Sequence, residues 1–74
     1  MSDADVVKQV IASSAEPQME FSNLSEEAFL EDIGIDSLKF MLMVIDIEQQ
    51  LGRQIFQIDA VPEIRTVSDV IKLV

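Results

Sequence analysis

Near the middle of the chain, Gly34-Ile35-Asp36-Ser37-Leu38 sets a hydroxyl beside a carboxylate, where a polar stretch runs into an apolar helix. A helix N-terminus presents unpaired N–H groups and about half a positive charge. A phosphate attached to Ser37 would be stabilised by that dipole. Asp36 can cap the helix or help hold a divalent cation during phosphate transfer. Gly34 permits a tight approach of backbone or partner. Taken alone, these residues are also ordinary punctuation, since Asp-Ser at a helix start is common capping chemistry.

The rest of the chain lacks what would make Ser37 a catalyst. The sequence contains no histidine, cysteine, tryptophan or tyrosine. Ser37 therefore has no histidine base, and it does not sit in a Gly-x-Ser-x-Gly elbow. No disulfide, thiolate ligand or intrinsic thiol chemistry is available. The run Asp32-Ile33-Gly34-Ile35-Asp36 lacks the alternating oxygen ligands and closing glutamate of a calcium loop. No catalytic residue and no metal site are assigned. The expectation is a serine that another protein modifies, in a chain that is not itself an enzyme.

The formal net charge is −9, from 14 acids against 5 bases. Such a field repels phosphate backbones and anionic lipid and speeds docking onto basic surfaces. Neither nucleic acid nor membrane insertion is expected as a mode of binding. The start of the chain has no basic region before an apolar run, so it does not resemble a signal peptide. No stretch approaches the ~20 apolar residues that span a bilayer. These features predict a soluble, cytoplasmic protein. The 74 residues, 49% of them hydrophobic, predict one domain over residues 1–74 with a real core. A chain of this size buries only about 60% of its unfolded surface, so its stability should be modest.

Hydrophobic spacing predicts the elements that position the serine. A first helix is expected over 4–14, with Asp3 as its cap and Val6, Val7, Val10 and Ile11 on one face. Pro17 ends that pattern. Residues 15–35 then form a connection long enough to suggest function. Asn23 and Glu26 have capping-box spacing, which predicts a short helical turn near 24–30. Phe29, Leu30 and Ile33 are expected to anchor this connection to the core. The second helix should start at Ser37 behind Asp36 and stop near Leu51-Gly52. A short helix near 57–61 should precede Pro62. The last helix should run from Val67 to the end of the chain, capped by Thr66 with Asp69 three residues on. No alternation persists long enough to argue for a sheet. The predicted fold is all-α: a small right-handed bundle of three main helices plus one or two short ones, with a long loop between helices 1 and 2.

The second helix is apolar on two sides. Phe40, Met43, Val44, Ile47 and Leu51 form one stripe at 100° per residue, the expected core face. Leu38, Met41, Leu42 and Ile45 cluster nearly opposite. Either the helix is buried all round, or the second face is a docking surface for partner proteins. Methionines suit a surface that meets several shapes.

The longer string Phe29-Leu30-Glu31-Asp32-Ile33-Gly34-Ile35-Asp36-Ser37-Leu38 closely resembles the attachment region of acyl carrier proteins. The resemblance extends over most of the chain, through the long loop, the apolar helix and the Thr66-Val67 start of the last helix. Size and acidity agree with it. It implies that a phosphopantetheinyl transferase moves 4′-phosphopantetheine from coenzyme A onto Ser37, and that the arm's terminal thiol carries an acyl group as a thioester. It also implies that Asp36 is the acid beside the attachment serine and Leu38 the docking leucine. Acyl-loading, condensing and offloading enzymes would be the partners of a monomeric, free-standing carrier. The docking residues would then be Leu38, Met41, Leu42, Ile45 and Glu48. The core-face residues Phe40, Met43, Val44 and Ile47 would line an acyl-chain cavity, with bulky Phe40 limiting its mouth.

Two positions depart from the fatty-acid type of carrier. Acids are usual early in this helix, and here Lys39 and Leu42 stand in their place, with acidity returning only at Asp46 and Glu48 and then at Asp59 and Glu63. That tilts the reading from housekeeping fatty-acid synthesis toward polyketide, peptide-like or specialised lipid synthesis. A peptidyl or aminoacyl carrier stays open, as does a helical interaction domain that uses the second face without any cofactor.

Overall fold

A computed structural model describes residues 2–56 and 64–74 of the chain. The short helix expected near 57–61 and the acids Asp59 and Glu63 lie outside the described residues. Helix α1 spans Asp3–Ser14, α2 spans Ser37–Leu51 and α3 spans Val67–Ile71. Two single turns of 3-10 helix, Phe21–Asn23 and Leu30–Ile33, stand in the connection between α1 and α2. The described residues contain no strand beyond one isolated antiparallel bridge between Phe29 and Thr66.

Each helix starts where a side chain can take up its orphan N–H groups. The cap of α1 is Ser2 and not Asp3: the Ser2 hydroxyl accepts from Asp5 N–H and the Asp5 carboxylate accepts from Ser2 N–H, both at 3.2 Å. Only Ser2 has an acid three residues later with which to close this reciprocal box. Thr66 and Asp69 close the same box at α3. That helix is shorter than expected. It ends at Ile71, and Lys72-Leu73 continue as a turn. Gly52 stops α2 in a left-handed conformation with φ of 70°, which glycine reaches without steric cost.

The core is built from one face of each helix. Val7, Val10 and Ile11 of α1 meet Phe40, Met43, Val44 and Ile47 of α2, and Val67 and Val70 of α3 close the third side. Phe56 comes back onto Phe40, with ring centroids 6.3 Å apart and planes at 87°. That edge-to-face arrangement is the favourable one for two phenyl rings. Among the described residues no polar or charged residue is buried.

The connection departs from its expected form. Residues 24–30 contain no helical turn led by an Asn23–Glu26 box, because their backbone is used elsewhere. Leu30 N–H donates to Arg65 carbonyl at 2.9 Å, Val67 N–H to Ala28 carbonyl at 3.1 Å and Ser68 N–H to Glu26 carbonyl at 2.8 Å. These bonds tie the connection to the start of α3. Leu30 is buried and Ile33 packs against the core as expected. Phe29 does not anchor the loop, since its side chain stays 49% exposed.

Candidate functional site

The Gly34–Leu38 string begins at a position that only glycine suits. Gly34 has φ of 84°, and a Cβ there would lie 2.6 Å from the Glu16 carbonyl oxygen. The close approach made possible by this glycine is therefore the chain's own backbone. Beside it, Glu16 N–H donates to Ile33 carbonyl at 2.9 Å. Ile35 is buried, and its N–H donates to Leu30 carbonyl at 3.0 Å. The residues before the serine are thus held by a turn, a close contact and an apolar plug.

Asp36 then starts α2. Its Oδ1 accepts from Lys39 N–H at 2.9 Å, and its carbonyl accepts from Phe40 N–H at 2.8 Å. A cap of this kind contributes about 0.5–2 kcal/mol. Because Asp36 takes the cap, Ser37 is released from it. Ser37 is the first residue of the helix, exposed, and its hydroxyl forms no hydrogen bond among the described residues. Four other serine hydroxyls are engaged: Ser2 accepts from Asp5 N–H, Ser13 and Ser14 donate to carbonyls one turn back, and Ser25 accepts from Glu27 N–H.

Lys39, which stands where an acid is usual, bridges two helices. Its Nζ lies 2.5 Å from Glu16 Oε2 and 3.5 Å from the Ser14 carbonyl. Helix α1 has no basic residue in its own last turn. Lys39 supplies a cation to that negative helix end from across the bundle.

The expected docking residues divide. Leu38, Met41, Leu42 and Ile45 share one exposed face, with Leu38 at 70% and Leu42 at 59% exposure. Glu48 is not part of it in the same way. It is half-buried, and its Oε2 accepts from Ile55 N–H at 2.8 Å and Phe56 N–H at 3.1 Å. Its carboxylate folds the chain back after α2, and this brings Phe56 to the core. Neither Glu48 nor Phe56 carries a local signal for this, because their partners lie seven and eight residues apart along the chain.

The expected acyl cavity also divides. Met43 and Ile47 are fully enclosed by the core, and Val44 is buried with them. Of the four expected residues only Phe40 lines the open groove of about 670 Å3 that begins at Ser37. Phe29, Leu30, Ile35 and Ile64 form its apolar wall, and Glu31, Asp36 and Arg65 supply its polar rim. Sequence reasoning missed Phe29, Ile64 and Arg65 here. The Phe29–Thr66 bridge that sets them side by side joins segments far apart in the sequence.

Asp69 is held below the ordinary carboxylate range. The main cause is the Arg65 N–H that its Oδ2 accepts at 3.1 Å, followed by the Thr66 N–H on the same oxygen. Among the described residues no cluster of acids is arranged to hold a metal ion. No described helix is long and apolar enough to cross a membrane.

The described residues thus form a small helical bundle with an exposed, unengaged serine at the head of α2, beside a groove. The family model for the phosphopantetheine attachment site matches residues 5–74, and the chain belongs to that family. No solved structure gives a significant match. Members are carrier proteins without catalysis of their own, and they bear a 4′-phosphopantetheine prosthetic group. They interact with a phosphopantetheinyl transferase and with biosynthetic enzymes. The residues present fit that group: a free hydroxyl, no side chain enclosing it, and space alongside.

Proposed function

We propose that Ser37 is the attachment residue and that the chain is an acyl carrier for a dedicated pathway of polyketide or specialised lipid synthesis. The observation that carries this reading is the division of labour at the start of α2, where Asp36 caps the helix and leaves the Ser37 hydroxyl exposed. In the transfer, the Ser37 oxygen bonds to the phosphorus that bears pantetheine. The pyrophosphate bond of coenzyme A breaks, adenosine 3′,5′-bisphosphate leaves, and the hydroxyl proton passes to a base of the transferase. When bound, the group supplies a thiol on a flexible arm, which holds acyl groups as thioesters. This accounts for a carrier that has no cysteine.

Docking is assigned to Leu38, Met41, Leu42 and Ile45, since exposed apolar residues gathered on one face mark interaction sites. The specialised pathway rests on Lys39 and Leu42. Lys39 is drawn toward Glu16 and the end of α1, and Leu42 projects from the outer face. Both remove acid from the first turns of the helix that a basic fatty-acid enzyme would read. The reading includes a monomer working in the cytoplasm, with self-repulsion at −9 opposing association.

The test is intact mass after incubation with a transferase and coenzyme A. The wild-type chain should gain one phosphopantetheinyl unit, mapped to the peptide containing Ser37, and Ser37→Ala should gain none while keeping its helicity. Full modification of Ser37→Ala would sink the assignment.

A further inference from the structure

Among the described residues, the groove at Ser37 carries a single basic side chain on its wall, Arg65. Its backbone is fixed from both sides. Arg65 N–H donates to Asp69 Oδ2 at 3.1 Å, and Arg65 carbonyl accepts from Leu30 N–H at 2.9 Å. The next residue, Thr66, is bridged to Phe29 across the same groove. Backbone pairing on both sides therefore holds the root of the side chain, although the residue itself is exposed.

Most of the chain's other bases are engaged elsewhere. Lys8 pairs with Glu26 at 3.0 Å, Lys39 with Glu16 at 2.5 Å and Arg53 with Asp3 at 2.6 Å. Two acids, Glu31 and Asp36, share the groove with Arg65, in a chain of net charge −9. This field discourages any free anion from settling in the groove. An anion tethered to Ser37 is different, because a short flexible link gives it an effective concentration on the order of millimolar. A guanidinium is the side chain best suited to it, since its planar fork takes two oxygens of a phosphate or carboxylate at once.

We propose that Arg65 is a specificity-determining residue of the carrier, whose guanidinium holds an oxyanion on the group tethered to Ser37. That oxyanion is either the phosphodiester at the root of the arm or the terminal carboxylate of a short acyl cargo. The proposal rests on Ser37 as the attachment residue. The closed core supports it: with Met43 and Ile47 enclosed and Phe40 seated against Phe56, the space next to Ser37 is the outer groove. A cargo lying there meets Arg65.

The experiment loads wild-type and Arg65→Gln chains from coenzyme A, butyryl-coenzyme A and malonyl-coenzyme A, with loading confirmed by intact mass. Failure to load either chain would tell against Ser37 and not against Arg65. The readouts are the Arg65 Nε–Hε resonance and the phosphorus shift of the arm. If the phosphodiester is the partner, the Arg65 resonance moves alike in all three loaded forms, and the phosphorus signal moves in Arg65→Gln. If a carboxylate is the partner, the Arg65 resonance moves in the malonyl form alone, and the malonyl form loses its extra thermal stability over the butyryl form in Arg65→Gln. An Arg65 resonance unchanged from the unloaded chain in every loaded form overturns the proposal. So does an equal displacement by free inorganic phosphate or malonate at matched concentration.

Discussion

Helix α2 carries the same kind of side chain on two opposite faces, and the two have opposite fates. Phe40, Met43, Val44 and Ile47 are buried in the core they share with α1 and α3, while Leu38, Met41, Leu42 and Ile45 remain in water, Met41 and Ile45 each at 48% exposure. Burying a side chain of this size is worth about 1.5–3 kcal/mol. The outer face forgoes that gain in the isolated chain. Apolarity on one side of the helix maintains the fold. On the other it is left in water, as the proposed docking surface requires, and Ser37, the proposed attachment residue, sits at the helix end common to both.

The sharpest test of this contrast is a matched pair of truncations. Ile47→Ala removes enclosed methylenes and should cost about 2–5 kcal/mol. Leu42→Ala, on the exposed side, should stay within about 0.5 kcal/mol of wild type. Urea unfolding reads both, and similar losses would erase the distinction between the faces. Next in size is Leu42→Glu, which puts an acid on the outer face. Helicity and unfolding midpoint should hold, while binding to the cognate enzyme falls roughly tenfold, equivalent to about 1.4 kcal/mol. Unchanged binding would remove Leu42 from the docking surface.

The smallest effect concerns how α3 is kept over the inner face. Asp69 has its pKa lowered on folding, by the Arg65 and Thr66 N–H groups. Its contribution is therefore present above the unfolded value of about 3.9 and is lost as pH falls through the lower folded value. Wild type should melt above Asp69→Asn at neutral pH, and the gap should close below that range. A gap that persists unchanged into strong acid would mean that the ionised carboxylate is not what holds the start of α3.

The contrast also marks how far the sequence was legible. Both apolar stripes of α2, the Asp36 cap, the Gly52 stop and the Thr66–Asp69 box can be read locally, because each is fixed by residues within a turn of one another. The proposal of Ser37 as the attachment residue rests on a string of ten neighbours. Errors arose where backbone groups pair across the chain. Asn23 and Glu26 have the spacing of a helix start, but Glu26 and Ala28 give their carbonyls to α3. Phe29 looks like an anchor by type, yet the bridge to Thr66 leaves it exposed in a groove wall. Glu48 looks like a surface acid and serves as the acceptor that turns the chain. Spacing cannot reveal partners brought in by the fold, and the groove that includes Arg65 is made of such partners.

The hydrogen bond from Glu16 to Ile33, with Gly34 pressed onto the Glu16 backbone, closes the long connection at its base. In polymer terms the segment between them is a ring whose ends are already joined next to the serine. Adding residues within such a ring costs only about 0.6 kcal/mol per doubling of its length. The exposed stretch around Ser22 can therefore lengthen or shorten with little thermodynamic penalty, while the geometry at Ser37 stays where the closure sets it. The connection is a place where a carrier can acquire a new recognition loop without disturbing the start of α2.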